Sequence, residues 1–158
     1  MSIILSLENT ENDEELFNQL LSIITKYESY VDNAEELFSL QGKKLEEICR
    51  VLPKNLAVYD KHFQEMKSLE EWMVIKRDKI QSKLWKKYVE GYPRALSTKD
   101  IQMYIQGDPE FVSFSEIIIE VTNIKSKLQS IIKGFDTMSW MLGHIAKLRI
   151  AELQDTVL

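Results

Sequence analysis

The chain has 158 residues, 44% hydrophobic and 28% charged, with five glycines, three prolines and one cysteine. That is a length for one domain with a real core; so little Gly and Pro excludes collagen-like and low-complexity chains, and a lone Cys49 excludes a disulfide framework or a multi-cysteine zinc site. The net charge of −5 is uneven: residues 1–50 hold four basic and eleven acidic side chains, whereas residues 51–100 hold eleven basic and seven acidic.

Residues 1–12 show no periodicity and read as a mobile lead-in to a single helical domain over 13–158. No apolar run approaches the ~20 residues a membrane span needs, so no membrane association is expected. The opening residues lack a basic leader, and together with the single cysteine this points to a cytoplasmic protein. From Asp13 a helical pattern begins, with Asn12 or Asp13 as cap. Phe17, Ile24, Val31, Phe38, Leu45 and Leu52 recur every seven residues, with Leu20, Tyr27, Ala34 and Ile48 between them. Gln41 and Gly42 interrupt the pattern, leaving one long helix or a helix pair over 13–52, stopped by Pro53. A second long helix is expected over 56–90, ended by Gly91-Tyr92-Pro93. Ser97 and Asp100 form the signature of a capping box for a short helix over 98–106.

Asp108-Pro109-Glu110 then opens a long helix expected over 109–153. Its seam is the strongest pattern in the chain: Phe114, Ile117, Val121, Ile124, Leu128, Ile131, Phe135, Met138, Leu142 and Ile145 follow a 3-4 alternation without a polar interruption. About 40 residues make a rod of roughly 60 Å, which needs partners of similar length from the same chain or from copies of it. Isoleucine at the d-type positions leans toward assemblies larger than a dimer. The expected fold is therefore all-α, with long antiparallel helices and coiled-coil seams, and this seam is assigned to homo-oligomerisation.

No phosphate loop, nucleophile elbow or metal-protease motif is present, and neither His62 nor His144 has a glutamate three residues before it. A non-enzymatic protein without metal or cofactor is expected. The chemistry that stands out is basic. Lys76, Arg77, Lys79, Lys83, Lys86, Lys87 and Arg94 face only Asp78 and Glu90 over residues 72–94. Lys76, Lys79, Lys83 and Lys86 form one stripe on a helix, with Trp72 at its start and Trp85, Tyr88 and Tyr92 at its end. Cations that follow a phosphate backbone beside aromatic faces suit a sequence-tolerant single-strand binder. A solvated helix face is the plainer reading of the same run. Lys76, Arg77, Lys79, Lys83, Lys86, Lys87 and Tyr88 are the candidate nucleic-acid contacts.

Several stretches resemble a known family in order, spacing and rhythm. They are Leu45-Glu-Glu-Ile48 with Pro53 and Leu56-Ala-Val-Tyr59-Asp-Lys-His-Phe63; Lys83-Leu-Trp-Lys-Lys-Tyr88-Val-Glu-Gly91; Thr98-Lys-Asp-Ile-Gln-Met-Tyr104-Ile-Gln-Gly-Asp108; and Ser130-Ile-Ile-Lys133 through Trp140-Met-Leu-Gly-His-Ile-Ala-Lys147-Leu-Arg149. From about Glu35 onward the chain resembles the UvsY-type recombination mediators of T-even-like bacteriophages. It departs from them in its first 30 or so residues, at Thr137-Met138-Ser139-Trp140, and at Trp85, which stands where a family cation would be. The resemblance implies a ring-like homo-oligomer of more than two subunits in the host-cell cytoplasm. Such a protein binds single-stranded DNA and helps load a RecA-like recombinase onto DNA covered by a single-strand-binding protein. The other reading kept open is an oligomeric coiled-coil scaffold or tether without DNA binding.

Overall fold

In a computed structural model that describes residues 3–8, 10, 12–92 and 96–151, every regular element is helical. They are α1 (Ile3–Glu8), α2 (Asp13–Asp32), α3 (Glu35–Phe38), α4 (Leu45–Gly91), α5 (Thr98–Gln106) and α6 (Pro109–Ile150). Three of them, α2, α4 and α6, form an up-down-up bundle. Antiparallel pairing of α4 and α6 is fixed by Tyr59 against Phe135, Glu70 against Lys125 and Lys83 against Glu110. Phe17 meets Phe114 near one end, and Phe38, just beyond α2, meets Phe135 toward the other, so α2 runs parallel to α6.

The caps explain where the helices begin. Asn12 accepts the Glu14 N–H at 3.1 Å and Asp108 accepts the Glu110 N–H at 3.0 Å, each satisfying an orphan donor of a first turn. Ser97 and Asp100 close the expected capping box, and α5 spans the expected residues 98–106. Of the long last helix, residues 109–150 are helical; positions 152–153 of its expected end lie outside the described residues.

Two expectations need correction. Pro53 does not stop a helix: α4 runs 47 residues through it, about 70 Å. An interior proline costs about 3 kcal/mol, chiefly for the lost N–H and a clash with the carbonyl four residues back. Here Pro53 and Cys49 both lie on the solvent side, where water serves the freed carbonyl, while Ile48, Leu52 and Tyr59 on either side are buried. Two or three such burials, at roughly 1.5–3 kcal/mol each, outweigh the proline. The chain breaks earlier instead, at Asn33–Ala34 and over residues 39–44, where Gly42 takes φ +72°.

The supposed lead-in contains α1, whose Leu7 is only 2% exposed and whose Ile3 and Ile4 sit by Lys61, Gln64, Glu65 and Ser68 of α4. Six residues are too few to show a period, and a helix that short is held by what it docks on.

The α6 seam finds partners within the chain. Phe114, Ile117, Val121, Ile124, Leu128, Phe135, Met138 and Leu142 are buried and Ile131 half-buried within the single chain, in one core with Leu20, Met66, Leu69 and Met73, while Ile145 is half-buried beyond it. A 47-residue α4 is long enough to cover α6, and within the chain the seam packs against α4 and α2.

Candidate nucleic-acid interface

α2 reaches only as far as Asp13, which lies in a cluster with Lys76, Lys79, Ile80 and Lys83 of α4 and Glu110 and Phe114 of α6. Past that level α4 continues for two more turns without α2. There a small separate core takes over: Leu84, Ile101 and Ile105 are buried, with Ile80, Trp85, Tyr88, Leu96 and Phe111 packed around them. The expected basic segment therefore straddles the junction between the bundle body and a thinner tip.

The structure sorts the candidate residues. Lys79, Lys83, Lys86 and Lys87 are exposed and Lys76 is half-buried. Ile75, Asp78, Lys79, Ser82, Lys83 and Lys86 line a shallow open depression along α4. Lys83 comes within 3.9 Å of Glu110, a distance at which an exposed pair is worth little. Arg77 sits 100° around the helix from Lys76 and is engaged by Asp78 at 3.0 and 3.3 Å, so it is off the row. Among the described residues Lys79, Lys86 and Lys87 carry no ion pair; Lys87 places its ammonium 5.7 Å from the Tyr88 ring.

The aromatic side of the expectation is redistributed. Trp72 is 8% exposed and belongs to the core, with Lys76 lying 5.0 Å over its ring. Trp85 is half-buried against the tip core. Tyr88 instead joins Tyr92 and Tyr104. Tyr88 and Tyr104 are 5.6 Å apart and Tyr92 and Tyr104 5.8 Å, both inclined by 28°. The Tyr88 hydroxyl donates to Asp108 at 3.5 Å, and burial followed by the Asp108 charge raises its pKa above the usual tyrosine value. Tyr104 was not a site residue in the sequence. It lies off the Ile101/Ile105 face of α5, and only the packing of α5 on α4 brings it to Tyr88 and Tyr92.

A second polar cluster lies between α2 and α4. His62 stacks on Tyr30 at 4.4 Å and 8°, meets Tyr27 and Tyr59 edge-on, and has Nδ1 3.4 Å from Glu65. Tyr27 donates to Glu65 at 2.5 Å, and Tyr59 donates to the Tyr30 carbonyl at 2.8 Å. Burial, followed by the Glu65 hydrogen bond, pushes the Tyr27 hydroxyl well up. Burial alone would raise Glu65, but hydrogen bonds from Tyr27 and His62 and the Lys61 charge hold it below the usual carboxylate range. The hydrogen bonds of Tyr27 and Tyr59 cross between the two helices, so the cluster fastens α2 to α4.

Among the described residues no three His, Cys, Asp or Glu side chains converge to hold a metal ion, and no helix is long and apolar enough to cross a membrane. Compared with protein families, characterised proteins and solved structures, the chain matches none.

Proposed function

We propose that this chain is a non-enzymatic helical protein that binds single-stranded DNA along the basic end of α4. Its role is that of a recombination mediator, helping to load a RecA-like recombinase onto DNA covered by a single-strand-binding protein. The observation that carries the DNA half is the row of exposed lysines, Lys79, Lys83 and Lys86, beside an open depression on α4 at the level where α2 ends. Spaced cations of this kind release counterions from a phosphate backbone without reading sequence. The mediator half rests on the family resemblance. Homo-oligomerisation into more than two subunits belongs to the same proposal, but the surface left for it is the outer side of α6, where Trp140, Met141 and Leu148 stand exposed. The scaffold reading draws on Asp13 and Glu110, whose carboxylates neighbour the lower lysines.

Fluorescence anisotropy of a labelled oligonucleotide separates the two readings. Binding weakens with salt at a log-log slope near −0.7 per neutralised phosphate. Lys83→Ala/Lys86→Ala/Lys87→Ala flattens that slope by about 2 and leaves the melting temperature unchanged. Wild-type binding that the triple variant retains in full overturns the site; no binding at low salt and micromolar protein leaves the scaffold. Light scattering on Trp140→Glu reads the α6 surface: its mass falls below the parent's if copies meet there.

A further inference from the structure

We propose that Tyr88, Tyr92 and Tyr104 form a platform on which an unpaired nucleobase stacks, so that the tip detects exposed bases while the lysines hold phosphates. The inference deepens the DNA-binding reading and rests on it.

The three rings come from the end of α4, the residue after it and the fifth helix, and the small core of Leu84, Ile101 and Ile105 holds these elements together. Tyr92 and Tyr104 remain 44% and 45% exposed although they stack on each other. Single exposed apolar residues are ordinary, but a cluster of flat rings at the surface of a thin tip is the pattern of a contact site. The rings are tyrosines, which combine a broad apolar face with a polar hydroxyl, and the Tyr88 hydroxyl is held by Asp108.

The neighbouring charge selects the occupant. Lys83 and Lys87 are one turn apart on α4, and the next position in that row is Gly91, where nothing lies within 4 Å of an added Cβ. Tyr92 follows at once. A strand whose phosphates follow Lys83 and Lys87 thus passes a position without a side chain and arrives at the rings. Its bases are free to turn onto them only if unpaired, because duplex bases are already stacked on one another. Every base has a π-face, so the platform favours single strand without favouring a sequence.

The test compares two labelled oligonucleotides of equal length and charge, one of thymidines and one of abasic residues, each titrated with the full chain by anisotropy. The wild type binds the thymidine strand roughly tenfold tighter. Tyr92→Leu/Tyr104→Leu removes that preference while keeping the affinity for the abasic strand and its salt slope. Tyr104→Phe, which keeps the ring, keeps the preference and guards against a folding artefact, as does the single Tyr92→Leu variant with an intermediate ratio. Equal wild-type affinity for both strands overturns the platform and leaves the lysine row standing. A preference that survives in the double variant places the bases elsewhere and also overturns it. No binding of either strand removes the DNA-binding reading, and the platform with it.

Discussion

The body of the bundle and its tip are built on the same two long helices but to different standards. In the body, α2, α4 and α6 enclose Leu20, Met66, Leu69, Met73, Val121, Ile124, Leu128 and Phe135 with no exposed surface, and among the described residues no buried side-chain polar atom lacks a partner. In the tip, α2 is gone and three buried side chains hold α5 in place. The tyrosines, Lys86 and Lys87 lie there, and Lys79 and Lys83 lie at its junction with the body. A region with little core has few inward positions to fill, so its sequence is free to present charge and rings outward, and it opens more readily than the rest.

The largest effect expected is in the body. Phe135→Ala removes a ring that stacks on Phe38 at 4.7 Å and meets Tyr59 at 5.5 Å; it lowers unfolding free energy by about 3–5 kcal/mol in a urea titration. A loss below ~1 kcal/mol means the body is looser than its packing indicates. Ile105→Ala sharpens the contrast. It deletes a third of the tip core, so amide exchange in α5 accelerates by more than about tenfold while α4 and α6 near Phe135 keep their protection. If all amides speed up together, body and tip unfold as one unit and the comparison fails.

Next comes the ion pair across α4 and α6. Lys125 and Thr122 both donate to Glu70, and although burial alone would raise this carboxyl, those bonds hold it below the usual range. The stabilisation is therefore complete above the unfolded carboxyl value of about 4.3 and is lost as pH falls through the lower folded value. Glu70→Gln costs about 2 kcal/mol at neutral pH and less at pH 3, as read from thermal melts. A cost that stays constant with pH would show that the charge contributes nothing.

The smallest effect is expected at Gly134, where an added Cβ lies 2.9 Å from the Phe38 ring. In Gly134→Ala the ring must shift, but alanine returns about 1 kcal/mol of helix propensity. Stability accordingly changes by less than ~1 kcal/mol, while the short α3 loses amide protection. A fall of several kcal/mol in the melt would make Phe38 a rigid part of the core.

The periodic helices and their caps were legible because those signals are local. Asn12, Ser97 and Asp108 cap the turns beside them, and a seven-residue repeat states which side of α6 is apolar whatever lies against it. The same locality left the partner unstated: the repeat from Phe114 to Ile145 is as consistent with a neighbouring copy as with α4, and only the fold shows α4 covering it. Pro53 sits inside α4 for a related reason: its cost is local and the burial that outweighs it is not. The lysine spacing was visible in α4 alone, whereas Trp72 left the row through burial that spacing does not encode. Composition and periodicity thus determined an all-helical chain with a basic stretch on one long helix. Tertiary structure decided that the seam turns inward, that α2 stops short of Lys86, and that Tyr104 meets Tyr88 and Tyr92. Those outcomes depend on which surfaces meet, and surfaces far apart in the chain meet only when the whole fold forms.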